Sequence, residues 1–475
     1  MFWLQSAALF LGTILFLSLA GPGPAQAQTP SPGESPADDD PSRWAVGRWA
    51  GELNAGGQTL TTVFEISKDS ASGQLQATMG VPEQGASGVP VSEVRATSDS
   101  LILGVPAIQG TFTGEKVGAD TVDGSWSQGG MSFPLTLARQ EGAPPEPERP
   151  QHPEPPFPYR AEDVTFTSSD GTTLAGTLTR PEGDGPHPAV VLVSGSGAQD
   201  RNSEVAGHKL FLVVADRLTR RGIAVLRYDE RGVGASDGSM ATATIDDFAR
   251  DAAAAVDRLA ARSDTGPVGI YGHSEGGTTG PLALQHTDAI DFLVLMAAPA
   301  VPGAEIIPEQ VRQILTAQGR PAGAVEMAVQ QQQQVLEAVT SAPDSATAAQ
   351  QVRDVLASSG ANETQIDQAI QRLTRPWFRR FASLDPSEPL QTVDVPVLAL
   401  YAEKDVQVTP EQNRAPLEQA LSESPSVTVD VIPGANHLFQ PADTGLTNEY
   451  ATIETTIMPE VIERVASWIN ARAAE

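Results

Sequence analysis

The chain contains no cysteine. That removes disulfides, thiolate metal sites and every hydrolase built on a cysteine nucleophile. Lysine is scarce: Lys68, Lys116, Lys209 and Lys404 are all there are, and arginine carries nearly all the positive charge. Basic residues number 30 against 59 acidic ones, a formal net charge of -29. Nucleic acid and anionic lipid both require basic patches, so neither is an expected partner. What is present is ample core material. Hydrophobic residues make up 40% of 475 positions and charged residues 19%, which excludes wholesale disorder. The length corresponds to about three domain-sized units.

The chain opens on a mostly apolar stretch at residues 7–20, interrupted by Gly12, Thr13 and Ser18. Ala25-Gln26-Ala27 supplies the small residues a signal peptidase accepts, so residues 1–27 are read as a signal peptide, although no Lys or Arg precedes the apolar run. A short membrane anchor is the rival. Gly21, Pro22, Gly23 and Pro24 break such a helix before it reaches the about 20 residues a span needs. The expectation is a secreted or periplasmic protein with no stable membrane span after cleavage. Missing disulfides do not contradict export, because a large domain does not need them.

Two stretches read as linkers. Residues 28–41 are rich in Pro, Ser and Asp, and residues 141–160 are denser in proline, a composition that favours extended, semi-rigid spacers. Between them, residues 42–140 show short alternating strands, as at Leu60, Thr62, Phe64 and Ile66, separated by Gly, Pro, Ser or Asp. This pattern predicts a small all-β accessory domain, a sandwich or barrel, with Trp44, Trp49, Phe112 and Trp126 as core aromatics. Nothing in it has the look of a catalytic set.

Residues 161–475 alternate strands and helices. Ser168-Ser169-Asp170-Gly171 lies between two strand-like runs and predicts a hairpin. A buried parallel strand is expected at 189–193, a continuous apolar run, another buried strand at 223–226, and further strands at 268–271, 292–296, 395–401 and 427–432. A helix is expected at 209–221, stopped by Gly222, and another starting at Thr244 with Asp247 as its capping-box partner. The C-terminal helix begins near Pro459. Such alternation implies a mostly parallel sheet covered on both faces. Residues 304–384 interrupt it with helical stretches alone, the pattern of a cap over the strand ends where ligands bind in open sheets.

The chemistry is carried by three loops. Gly272-His273-Ser274-Glu275-Gly276 follows a strand and precedes a helix. A serine raised on so tight a turn needs the small residues Gly272 and Gly276 around it, and the turn aims the Glu275 N–H at a developing oxyanion. Ser194-Gly195-Ser196-Gly197 follows another buried strand, and the N–H of Ser196 or Gly195 is the candidate second oxyanion donor. Its spacing is not that of a dinucleotide-binding loop. A serine hydroxyl also needs a base. Of the six histidines, His152 falls in the proline stretch, His187 at the far end of a strand, and His286 past the helix after the elbow. His208 abuts a helix and His273 is chained to the serine itself, which leaves His437, in a loop after the last strand. The third member should be a carboxylate after a strand, between serine and histidine in sequence. Asp405 in Ala402-Glu403-Lys404-Asp405 is favoured, with Glu403 the alternative.

On these residues the chain resembles the α/β-hydrolase superfamily, and within it the EstD-type carboxylesterases, which are akin to the serine aminopeptidase-like hydrolases. The resemblance spans about residues 159–475. It rests on Ser194-Gly195-Ser196-Gly197-Ala198-Gln199-Asp200-Arg201, Arg227-Tyr228-Asp229-Glu230-Arg231-Gly232, Gly272-His273-Ser274-Glu275-Gly276-Gly277 and Asn436-His437, with Arg375-Pro376-Trp377-Phe378 joining the cap to the next strand. Ala198 stands where proline is usual. The resemblance implies a Ser274–Asp405–His437 triad hydrolysing small-molecule carboxylic esters without metal or organic cofactor. It also implies structural roles for Asp229, Arg231 and Gly232. A haloalkane dehalogenase would carry Asp at position 274 and a dienelactone hydrolase Cys. The alternatives are an exopeptidase of the serine aminopeptidase kind and an exported glycan- or lipid-binding protein whose hydrolase half is inactive.

Overall fold

The computed structural model describes residues 42–55, 58–69, 73–81, 86–108, 110–128, 131–140 and 148–474. The stretches read as signal peptide and first linker, residues 1–27 and 28–41, lie outside the described residues, as does 141–147 of the second. The chain divides into two compact units, one built mainly on the residues from Arg149 onward and the other on those before it.

The N-terminal unit is one antiparallel sheet of nine strands: β1 (Gly47–Ala55), β2 (Gln58–Lys68), β3 (Leu75–Val81), β4 (Ala86–Val91), β5 (Glu93–Ala96), β6 (Ser100–Val105), β7 (Gly110–Gly118), β8 (Thr121–Gln128) and β9 (Met131–Gln140). Their order is β4-β3-β2-β1-β9-β8-β7-β6-β5. The two edge strands are consecutive in the chain, separated only by Ser92, so the sheet curls towards a barrel. Alternation fills the inside: Trp49, Phe64, Phe112 and Trp126 are fully buried, with Phe64 against Phe112 and Trp126 at 6.2 and 6.3 Å between centroids. Trp44 is only half-buried. It lies edge-on to Trp49 and donates its indole N–H to the Thr97 carbonyl at 2.6 Å.

The second unit centres on an eight-stranded sheet. Its strands are β10 (Tyr159–Thr167), β11 (Thr173–Pro181), β12 (His187–Val193), β15 (Ala224–Tyr228), β16 (Thr265–His273), β17 (Phe292–Met296), β18 (Val397–Ala402) and β19 (Val427–Ile432); β13 (Glu204–Val205) and β14 (His208–Lys209) form a separate two-residue ribbon. The order is β10-β11-β15-β12-β16-β17-β18-β19, and β11 alone runs against the rest. Fully apolar strands such as Phe-Leu-Val-Leu-Met in β17 are buried along their whole length because helices cover both faces. Those helices are α1 (Leu210–Thr219), α2 (Ile245–Ala260), α3 (Gly276–Ala283), then after the cap α10 (Pro410–Ala420) and α11 (Pro459–Ala473). The capping box at Thr244 is formed, with its N–H on Asp247 Oδ2 at 2.8 Å.

Between β17 and β18 the chain builds α4 (Gly303–Ala317), α5 (Ala322–Thr340), α6 (Ser345–Ser358), α7 (Glu363–Leu373), α8 (Pro376–Ser383) and the short α9 (Ser387–Leu390). Ile307, Val335, Leu336, Val339, Val352 and Phe378 give this cap a small core of its own. Part of the proline stretch is docked on the second unit: Arg149 donates to the Ile453 carbonyl at 2.9 Å and Gln151 Oε1 accepts from Thr456 and Ile457 N–H at 2.6 and 3.0 Å. Among the described residues no helix is long and apolar enough to cross a membrane.

Candidate active site

The ends of β12, β15, β16, β18 and β19 gather the functional loops at one rim of the sheet. Ser274 follows β16 directly and adopts φ of +55°, a left-handed conformation that L residues avoid and that functional turns hold under strain. Its own N–H is fixed on the Met296 carbonyl at 2.8 Å. The flanking glycines are sterically required. A Cβ on Gly272 would sit 2.1 Å from the Gly276 carbonyl oxygen, and one on Gly276 would sit 2.2 Å from that of Val193. Gly276→Ala is therefore expected to cost about 3 kcal/mol, the upper range of overpacking, read as a lower urea midpoint at unchanged slope.

Asp405 and His437 meet. His437 Nδ1 lies 2.7 Å from Asp405 Oδ2, with both side chains almost wholly out of solvent. The other carboxylate oxygen accepts the N–H groups of Gln407 and Val408 at 2.7 and 2.9 Å, which fixes the acid's orientation. With Nδ1 donating to Asp405, the neutral imidazole presents Nε2 as an acceptor. Glu403, the alternative acid, accepts the Gly434 N–H at 2.7 Å instead. Asn436 shapes the histidine loop, its Oδ1 taking the N–H groups of Leu438 and Gln440, both at 3.0 Å.

Three of the other histidines have partners of their own. His208 Nδ1 is 2.9 Å from Thr456 Oγ1, and His152 Nε2 accepts the Lys209 N–H at 3.2 Å. His273 faces the site's underside. Its ring packs 4.9 Å from that of His437, and its Nε2 lies 2.9 Å from the His437 carbonyl oxygen. Burial, helped by His437, pushes His273 down to about 4, so it is neutral and donates from Nε2. It buttresses the backbone of His437, a role that adjacency to Ser274 does not announce.

The loop after β12 closes the rim. An added Cβ on Gly195 would lie 3.1 Å from Ser274 Cβ, so this backbone passes directly beside the serine. Among the described residues, the N–H groups of Gly195, Ser196 and Glu275 have no hydrogen-bond partner. The Ser194 hydroxyl donates to Glu230 Oε1 at 2.6 Å, and that of Ser196 to Glu275 Oε2 at 2.9 Å. Sequence reasoning singled out Glu275 for its amide and missed its side chain, which is buried and also accepts the Trp377 indole N–H at 2.9 and 3.1 Å. Burial pushes Glu275 up to about 7 and Glu230 up to about 8.

Asp229, Arg231 and Gly232 serve structure. Asp229 forms a bidentate pair with Arg201 at 3.0 and 2.7 Å and accepts the Ala235 N–H. Arg231 pairs with the buried Asp251 at 2.6 and 2.8 Å and with Asp170 of the β10–β11 hairpin. Gly232 turns at φ of +75°.

Strand order, the single antiparallel strand, the elbow after β16 and the His–Asp pair define an α/β-hydrolase. The chain belongs to the serine aminopeptidase S33 family, whose family model matches residues 189–441, and it is a hydrolase. It is 25% identical to the esterase EstD of Thermotoga maritima over 311 residues, 66% of this chain and 68% of that one. Among solved structures, an esterase of Pyrococcus furiosus is 15% identical, with a TM-score of 0.42 over 66% of this chain and 91% of its own. A proline iminopeptidase of Mycobacterium smegmatis is 17% identical, with a TM-score of 0.41 over 66% and 99%.

Proposed function

We propose that the protein is an exported serine carboxylesterase that hydrolyses small carboxylic esters through an acyl-enzyme on Ser274. The observation that carries this reading is the buried His437–Asp405 pair at 2.7 Å, on the same rim as a serine held at positive φ. Ser274 Oγ attacks the ester carbonyl carbon as His437 Nε2 takes its proton. The N–H groups of Glu275 and of Ser196 or Gly195 hold the oxyanion. The tetrahedral species collapses, the C–O bond breaks, and the imidazolium hands its proton to the departing alkoxide. Water, activated by the same imidazole, then releases the acid and restores the hydroxyl.

The family match favours a second reading, an exopeptidase. Purified full-length protein should turn over short-chain aryl esters and leave amino-acid arylamides intact. Arylamide turnover at rates matching the esters would replace the esterase reading with the peptidase one. Export is supported by the 7–20 apolar stretch and the Ala25-Gln26-Ala27 site. Its check is the N-terminal sequence of protein recovered outside the cytoplasm, expected to start at Gln28.

A further inference from the structure

The loop that carries the Ser196 amide is gripped from two sides by buried acids. Glu230, on the loop after β15, takes the Ser194 hydroxyl at 2.6 Å and the Gln199 N–H at 3.0 Å. Glu275, at the start of α3, takes the Ser196 hydroxyl at 2.9 Å. The second partner of Glu275 comes from the cap. Trp377 lies in the first turn of α8, its ring stacked on Phe381 at 5.5 Å, and its indole N–H can only donate. The same helix is tied to the body a turn later, where Arg380 makes a bidentate pair with Asp246 of α2 at 2.8 and 3.0 Å.

A buried carboxyl is costly unless its oxygens are satisfied. Glu275 is satisfied only while the cap helix and the loop are both in place. Nothing in the elbow's geometry requires an acid here, since the proposed chemistry uses the main-chain N–H of this residue. We propose that Glu275 is a positioning residue that couples the seating of the cap to the oxyanion loop, holding Ser196 through its hydroxyl and Trp377 through its indole while Glu230 fixes the other end of the loop. The inference rests on the esterase reading. Its consequence is that the donor amide is in register only when α8 is down, and misplacement of a catalytic group by 1 Å costs on the order of a hundredfold.

Ionisation makes the coupling visible. The charged carboxylate accepts from both donors, whereas the protonated acid has one oxygen committed to its own O–H. Glu275 is raised to about 7, with Trp377 and Ser196 facing it, and Glu230, raised to about 8 with Glu275 contributing, is the titratable neighbour across the loop. The coupling is therefore strongest above pH 7 and weakens as pH falls through that value.

The experiment uses the full-length protein with an aryl butyrate, comparing Ser196→Ala, Trp377→Phe, their double variant and Glu275→Gln. Losing one hydrogen bond to a charged acceptor should lower kcat about tenfold in each single variant, with KM within about twofold. Because both act through one carboxylate, the double variant should fall well short of the product of the two losses. In Glu275→Gln the acid limb of the kcat profile should become shallower, since the carboxyl raised to about 7 no longer titrates while Glu230 remains. Single variants with unchanged kcat, losses that multiply in the double variant, or a Glu275→Gln profile superimposable on the wild type would each overturn the coupling. Thermal melts confirm folding, and Ser196→Ala, which removes one oxygen atom, keeps the test open if Glu275→Gln does not fold. Labelling with a fluorophosphonate separates the two readings. A wild type that is not labelled at Ser274 sinks the esterase reading and the coupling with it, whereas normal labelling with unaffected variants sinks the coupling alone.

Discussion

Ser274→Ala is expected to lose on the order of 10⁶-fold in kcat, the scale at which a serine nucleophile acting with its base is removed as a unit. Fluorophosphonate labelling should vanish with it. Alanine keeps the Cβ and therefore the strain of φ +55°, so the melting temperature should not move. That separation matters, because a variant that lost activity by unfolding would say nothing about the nucleophile. Retained ester turnover in a folded Ser274→Ala protein would remove this serine from the chemistry. The measurement is a kcat for an aryl acetate beside a melt on the same preparation.

Asp405→Asn is expected to cost about 10⁴-fold in kcat with little change in KM. The reason is a tautomer. The carboxylate accepts the Nδ1–H of His437 at 2.7 Å and so leaves Nε2 bare to receive the serine proton. Asparagine can keep Oδ1 on the N–H groups of Gln407 and Val408, which aims its amide NH₂ at the imidazole. Nδ1 must then accept, the proton moves to Nε2, and the base is lost without disturbing the loop. Glu403→Gln is the control. That side chain holds the Gly434 N–H, and its loss of charge should leave kcat within about twofold. Comparable losses in both variants would put the acid's role on loop structure rather than on the imidazole.

Much of this rim is legible in sequence because its signals are local. The elbow needs glycines at fixed offsets, the central strands are apolar runs, and Asp405 and His437 each stand a few residues beyond a strand. The β10–β11 hairpin and the Thr244 cap are equally short-range, and both are present. What escaped reading is long-range. The hydrogen bonds of Glu275 reach partners 79 and 102 residues away, and no pattern around Glu275 marks them. The β domain's nine-strand order depends on which edges end up adjacent, so alternation alone left sandwich and barrel open. Proline density suggested a spacer through residue 160, yet β10 starts at Tyr159 and Gln151 is bonded to residues 305 and 306 positions further on. Composition describes how stiff a segment is and is silent about what receives its polar groups.

The six-helix excursion leaves after β17 and returns at β18, and these two strands are direct partners, Leu293 opposite Val397. The sheet is therefore continuous beneath its roof whatever is inserted there. Roofs of other shapes could be grafted between those ends without breaking the strand pairing beneath. A graft would inherit one obligation, to furnish a hydrogen-bond donor where Trp377 now meets the buried acid next to Ser274.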